Sequence, residues 1–530
     1  MRILFVLKEV EDEQLSVMYL SSILKTRGHE TGLVMADYDI MSRKLEDRVP
    51  TILAYSTLGF YSNYYLELNR RIKKRFNVFS IFGGVYPTSY PQILEEEGVD
   101  SVCIGEGEYP LLELADRLKA GKIFNNINNL WVKIEGRIFR NEPRPLISNL
   151  DELIFPDRQL FTLKSPFFVD RISMITSRGC SYSCPYCYNN TTRRIYSREN
   201  IYRRRTVDNV LQEIKDVRKK QEVKFILFYD DIFILMPEWI EEFSCKYKAD
   251  INIPFWCNVR ANLVTEQAVF LLKKANCYSV SFGLESGNNH LRNSVLHRNI
   301  SEEEILSKVA LLKDNGIRIR TTNIIGIPGG SIDQDIESLK LNIKCRVDYA
   351  RVTMFSAYPN MDSSLFSKHA QGNFCEYHHA PSPKIADMLG KYSIAASGRF
   401  HRMVYSSLVP RYGFKDESEK RRIVNLYRLF GIAANFPLIL PLVYLLIRMP
   451  VNRLFIYIDF LWLNYCSYFK LYPTCGWYEF FRRISKHKKA IMQYRKDKHM
   501  QKNKQADSLN DDGLLCACSS NKDGNYSIPL

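Results

Sequence analysis

Short apolar runs and helix-spaced apolar repeats alternate through the first 120 residues. Runs at 3–7, 31–35, 52–55, 78–82 and 101–104 read as strands, while 14–26, 63–75 and 108–119 keep a helical period. Gly28 closes the first of these helices. Such alternation predicts a doubly wound parallel sheet, in which ligands bind beyond the carboxyl ends of the strands. Glycine-bearing turns fall at those ends: Gly83-Gly84 after one strand, and Gly105-Glu106-Gly107-Glu108 after the last. Glycine there permits positive φ and close approach of the backbone to a ligand.

From residue 172 the strand–helix pattern repeats about six times, with strands at 172–176, 224–229, 253–258, 278–282, 318–325 and 349–355. The segment 207–219 shows the helical period plainly, with apolar residues at 207, 210, 211, 214 and 217. Six such units predict an open version of the eightfold barrel, whose site gathers at the strand C-termini. Polar residues sit there: Asp230-Asp231, Asn258 with Arg260, Glu285-Ser286, and Asn323 with Gly326. Any one of them could simply cap the following helix. Their convergence on one rim points to a site.

The last third is different in kind. Residues 429–447 are apolar and uncharged, just long enough to span a bilayer, but Pro437 and Pro441 interrupt them. Residues 454–469 are aromatic-rich, and 482–504 are rich in Lys and Arg. A helical cap on the barrel or an interfacial anchor fits this better than a true span, and an aromatic apolar surface beside Lys and Arg suits anionic lipid. The organisation expected is an α/β chain in five parts: a doubly wound domain at 1–125, a linker at 126–168, a partial (β/α)6 barrel at 169–370, a mainly helical extension at 371–484, and a basic tail at 485–530.

Composition adds little to this. Apolar content of 46% and charged content of 25% are ordinary for globular protein. The formal charge of +16 is concentrated in 482–504, with a second cluster at Arg193-Arg194 and Arg203-Arg204-Arg205. Charge alone does not choose among nucleic acid, anionic lipid and an acidic substrate. The apolar core of residues 1–8 is too short for a signal sequence and reads as the first strand. With 13 scattered cysteines, the chain is expected in the reducing cytoplasm, with membrane association through the extension left open.

The decisive segment follows the run at 172–175. Cys180, Cys184 and Cys187 stand in a C-x3-C-x2-C spacing, preceded by Gly179, with Tyr186 before the last cysteine. Three thiolates on one short loop can hold three corners of a cubane 4Fe–4S cluster. No fourth cysteine follows at ferredoxin spacing, so one iron stays open to a small chelating ligand. Zinc would need a second Cys/His pair, and the next fifty residues supply none.

This loop resembles the radical S-adenosylmethionine (SAM) superfamily. Gly83-Gly84-Val-Tyr-Pro87-Thr88 with Gly105-Glu106-Gly107-Glu108 resembles the cobalamin-binding domain that precedes many radical SAM barrels. Arg144-Pro145 and the segment Leu150-Asp151 to Pro156-Asp157 resemble that family's linker. The D-x-H-x-x-G motif of other cobalamin proteins is absent and the first histidine is His29, so the resemblance implies cobalamin without a histidine ligand. It also implies that Glu285 and Ser286 meet the SAM ribose, that Asp230 and Asp231 meet the methionyl amine, and that 324–329 pack the adenine. Gly330-Ser331 and Tyr358-Pro359-Asn360 depart from the family pattern, so the strand-five and strand-six contacts are the weakest transfers.

The activity implied is reductive cleavage of SAM to a 5′-deoxyadenosyl radical, followed with cobalamin by methylation of an unactivated carbon in a small molecule, lipid or glycan. A radical cyclisation without methylation is the alternative. A low-potential donor such as flavodoxin or ferredoxin is implied as electron source. An RNA-modifying methylthio-transferring enzyme ranks low, and nucleic acid with it, because only Cys103 precedes Cys180 where three more cluster cysteines would be needed.

Overall fold

The computed structural model describes residues 1–8, 13–47, 49–58, 61–161, 170–196 and 201–355. The expected extension with its apolar stretch at 429–447, the basic tail, and Tyr358-Pro359-Asn360 lie outside the described residues.

Strand β1 (Arg2–Leu7) lies one strand in from the edge of the first sheet, and all six of its residues are buried. Its alternate side chains enter two cores, as a strand covered on both faces requires. Ile3, Phe5 and Leu7 meet Val17, Met18 and Leu24 of α1 (Leu15–Thr26). Leu4 and Val6 face the other way. Parallel strands β2 (Glu30–Met35) and β3 (Thr51–Ser56) flank β1. The second core is closed by α2 (Tyr38–Leu45), which the sequence reading had not marked, and α3 (Ser62–Lys73). Asp37 starts α2 by accepting from the Ile40 N–H at 3.1 Å. Strand β4 (Phe79–Gly83), the short helix α4 (Val85–Ser89), β5 (Ser101–Cys103) and α5 (Glu108–Lys119) complete the doubly wound unit, which was expected.

The sheet does not stop at residue 125. Strands β6 (Leu130–Ile134) and β7 (Arg137–Arg140) add an antiparallel hairpin to β5, so the expected linker supplies two strands of a seven-stranded sheet. Its turn is Glu135-Gly136, both at positive φ (49° and 79°). Two-residue hairpin turns of this kind favour Asn-Gly or Asp-Gly, and Glu in the first place hides the signal. Beyond it the chain straps α1, with the Ser21 and Ser22 hydroxyls donating to the Asp157 carboxylate and the Phe155 carbonyl, each at 2.6 Å.

The second sheet opens with β8 (Arg171–Met174). A short antiparallel ribbon, β9 (Ser177–Arg178) with β10 (Arg203–Arg204), then brackets the cysteine loop and α6 (Tyr188–Ile195). Regular βα units follow: α7 (Val207–Arg218), β11 (Phe225–Phe228), α8 (Pro237–Asp250), β12 (Phe255–Val259), α9 (Glu266–Lys274), β13 (Cys277–Glu285), α10 (Glu302–Asp314), β14 (Arg318–Ile325), α11 (Ile332–Cys345) and β15 (Tyr349–Met354). The sheet is parallel throughout, in the order β15-β14-β13-β12-β11-β8. This is the six-unit open barrel expected. Phe228, Phe233, Phe243, Tyr247 and Phe255 fill the layer between strands and helices, with Phe228 edge-on to Phe255 at 5.3 Å. A capping box, Ser301 with Glu304, starts α10. No helix among the described residues is long and apolar enough to cross a membrane.

Candidate active site

The cysteine loop leaves β9 through Gly179, whose φ is +83°. A Cβ there would stand 2.1 Å from the Ile201 carbonyl, so only glycine lets the two ends of the loop close together. Cys180, Cys184 and Cys187 then line a cavity of about 210 Å³ at the carboxyl ends of the barrel strands, with Tyr186, Asn258, Glu285 and Arg298 around it. Burial pushes the Cys187 thiol up to about 12 and moves that of Cys180 in the same direction.

Glu285 reaches the cavity through a distortion of its strand. The β13–β14 register shifts between Gly283 and Glu285, and Glu285 itself takes φ +64°. A bulge re-aims a side chain, and left-handed backbone at a non-glycine residue is a strain that collects at functional sites. A Cβ on Gly283 would lie 1.9 Å from the Glu285 Oε1, so glycine here makes room for that carboxylate. Burial raises the Glu285 pKa, opposed by the charge of Arg298 and by its hydrogen bond with Tyr186.

Two arginines complete this wall. Arg298 donates to the Tyr186 hydroxyl at 3.2 Å and to the Gly283 carbonyl at 2.8 Å. Arg260 lies over the Tyr182 ring at 3.7 Å and donates to the Arg298 carbonyl at 2.9 Å. The sequence reading noted Arg260 without giving it a role and missed Arg298, which follows an irregular turn and carries no periodic signal.

The other expected residues divide sharply. Asp231 lines the cavity and accepts from the Tyr188 hydroxyl at 3.3 Å, and burial raises its pKa to about 6. Asp230, its neighbour, is fully buried and turned away. Its carboxylate accepts from the Thr176 N–H and hydroxyl and from the Ser177 hydroxyl, at 2.5–3.2 Å. Asn258 lines the cavity and donates to the Asp230 carbonyl at 3.0 Å. The Ser286 hydroxyl accepts from the Asn288 N–H, Asn323 bonds Asn342 and the Arg351 carbonyl, and the Gly326 N–H donates to Asp335. These three hold the strand ends in shape and line neither this cavity nor the next.

A larger cavity, of about 360 Å³, lies where the carboxyl edge of the first sheet faces the cysteine loop. Gly83, Gly84 and Gly105 line it, as expected for turns at that edge. A Cβ on Gly105 would meet the Tyr196 hydroxyl at 1.9 Å, so the ring of Tyr196 rests directly on that turn. Glu106 also lines the cavity, but its carboxylate is occupied by Arg178 and Arg203, both at 2.9 Å. Burial opposes its charge, yet those two guanidiniums hold its pKa below the usual carboxylate value. His29 is buried elsewhere and pairs with Asp116 at 3.0 Å, and among the described residues no histidine lines this cavity. Asn189 and Asp231 line both cavities and form the wall between them.

Residues 174–341, the span from β8 through most of α11, match the model of the Radical SAM superfamily. The chain carries a radical SAM domain. That domain makes the 4Fe–4S cluster and SAM the cofactors of this radical SAM enzyme. The donor set fits: three thiols on one loop, lining a cavity with an acidic and an arginine wall. Among the described residues no three His, Cys, Asp or Glu side chains converge on a single-ion site, and a cubane takes its thiolates at separate corners.

The enzyme is 27% identical over 362 residues to an uncharacterized methyltransferase of Pyrococcus horikoshii, covering 65% of this chain and 76% of that one. It is 24% identical over 431 residues to the anaerobic magnesium-protoporphyrin IX monomethyl ester cyclase of Rubrivivax gelatinosus, covering 77% and 76%. Among solved structures it shares its fold with the radical SAM methyltransferase TsrM from Kitasatospora setae (TM-score 0.56, 16% identity, 68% of this chain and 74% of that one). The cobalamin-dependent radical SAM enzyme OxsB is equally similar in fold (TM-score 0.56, 16% identity, 95% and 81%).

Proposed function

We propose that this radical SAM enzyme binds cobalamin in the larger cavity and methylates a carbon of a small-molecule, lipid or glycan substrate. The observation that carries the reading is the wall shared by the two cavities, Asn189 and Asp231. It would set a cobalamin beside the SAM site with two side chains between them. The larger cavity fits such a group. It lies at the carboxyl edge of the first sheet, where doubly wound sheets take their ligands, and its walls are mainly apolar. Cobalamin-bearing solved structures of the same fold, and a methyltransferase-named relative, support the reading.

When bound, the cluster supplies the electron that cleaves SAM, and cobalamin carries the methyl group. The chain's own residues orient and shield. Cys180, Cys184 and Cys187 hold the cluster. Asp231 is set to take the methionyl ammonium, and Arg298 lies where it could take the carboxylate. Glu285, fixed by Tyr186 and the bulge, is set to accept from the ribose hydroxyls. Burial of these groups keeps water from the reacting atoms. A low-potential donor such as flavodoxin or ferredoxin would reduce the cluster, and the extension would bring the enzyme reversibly to anionic membrane.

The cyclase relative, which covers the larger share of this chain, favours a second reading: radical ring formation without methyl transfer. Product analysis separates the two. A methylase consumes two SAM per turnover and releases both S-adenosylhomocysteine and 5′-deoxyadenosine, whereas a cyclase releases only the latter. Reconstituted enzyme that binds no cobalamin would sink the first reading. Binding to anionic liposomes that weakens with salt and with removal of 482–504 would support the membrane contact, and no binding would dismiss it.

A further inference from the structure

The segment carrying the three cysteines is closed at its base by a ladder only two residues long, in which Arg178 lies directly opposite Arg203 and Ser177 opposite Arg204. Like charges opposite one another disfavour a strand pair. What sits between these two guanidiniums is a carboxylate from the other domain. Glu106 Oε1 accepts from Arg178 Nη1 and from Arg203 Nη1, both at 2.9 Å. Its Oε2 accepts from Arg203 at 3.1 Å and from the Ile147 N–H at 2.9 Å. Arg178 turns its second nitrogen to Glu108 at 2.5 Å, and Arg203 also donates to the Ile147 carbonyl at 2.9 Å. The four side chains balance two positive against two negative charges and are largely buried, from 6% to 17% exposed.

We propose that Glu106 is a positioning residue for the iron–sulfur loop: one carboxylate, carried on the last turn of the first domain, pins both ends of the segment that bears Cys180, Cys184 and Cys187. The close fit of Gly179 on the Ile201 carbonyl shows how little slack that base has. Removing the charge at 106 leaves Arg203 without a carboxylate partner and Arg178 with Glu108 alone, and takes away the one group that bridges the two opposed guanidiniums, so the ends of the loop move apart and the three thiols lose their spacing. Glu106 also lines the larger cavity, so the residue that fixes the cluster loop is exposed to that cavity's contents. The inference rests on the superfamily's cluster at the three cysteines and not on what fills the larger cavity.

The test uses the full chain with its cluster reconstituted under anaerobic conditions. Glu106→Gln should keep the far-ultraviolet circular dichroism of the parent yet surrender iron to a chelator about tenfold faster, in the range found when groups supporting a metal ligand are altered. The change in the reduced cluster's electron paramagnetic resonance signal on adding SAM should shrink in the same variant. Pairing it with Arg203→Gln removes one of the two opposed charges and should restore iron retention to within about twofold of the parent. If Glu106→Gln does not fold, Glu106→Asp carries the test. Its carboxylate is one methylene shorter and spans a single guanidinium, so iron release should be intermediate. Parent-like iron release and spectrum in the variant tested would overturn the proposal. So would a double variant no better than Glu106→Gln, which would assign the effect to the Ile147 contact instead.

Discussion

Arg260 Nη1 lies 3.5 Å from the Sγ of Cys184, inside the cavity wall and with its guanidinium stacked on Tyr182. Arg298 approaches the same sulfur at 3.9 Å. Hydrogen bonds and positive charge at a cluster sulfur stabilise the more negative, reduced state and raise the reduction potential. Arg260→Gln should therefore move the cluster midpoint to a more negative value, with Arg260→Lys between it and the parent. A redox titration followed by electron paramagnetic resonance measures this, and an unchanged midpoint in both variants would remove Arg260 from the argument.

Alanine at Cys180, Cys184 or Cys187 should each abolish reductive SAM cleavage and lower bound iron. Production of 5′-deoxyadenosine by the triple variant would end the assignment of the cluster to this loop.

Glu285 holds a left-handed backbone and a buried carboxylate together. Glu285→Gly removes both strains and should stabilise the protein by about 1 kcal/mol while weakening SAM binding. Denaturant unfolding and SAM titration of the reconstituted enzyme read the two effects separately. A variant that is both less stable and equally tight for SAM contradicts the role given to this residue.

Asp231 titrates near 6 in the folded chain against an ordinary 3.8, because burial disfavours its charge. Its folded pKa is raised, so in the cluster-free protein the ionised form costs stability once the pH exceeds the unfolded value, and the cost levels off above about 6. Asp231→Asn should then stabilise that protein by up to about 3 kcal/mol at pH 7.5, with the gain vanishing near pH 4. Equal gains at both pH values would show that burial of charge is not the cause.

Much of the architecture could be read from periodicity alone. The runs at 3–7 and 318–325 became β1 and β14 with at most one residue of shift: β1, covered on both faces, is a continuous apolar run from Ile3 to Leu7, and β14 alternates buried with half-buried positions. The cysteine loop was legible because its spacing is local. What escaped depends on direction rather than composition. Asp230 and Asp231 are adjacent, and successive residues leave a strand end on opposite sides, so only the three-dimensional path of the chain decides which faces the cavity. Arg298 meets Cys184 across 114 positions of sequence, and no pattern of one element encodes that encounter. Glu106 was marked as a ligand-facing residue from its turn, whereas its partners come from a ribbon too short to show any period.

The two chambers share the side chains of Asn189 and Asp231 as a common wall. If the larger chamber holds a second reaction centre as proposed, a short-lived species would pass between neighbours and not through a long tunnel. Leakage to solvent is then governed by the outer mouths of the chambers and not by the passage between them. The shared wall ties their evolution together: a change of shape at either of those two positions is felt on both sides at once.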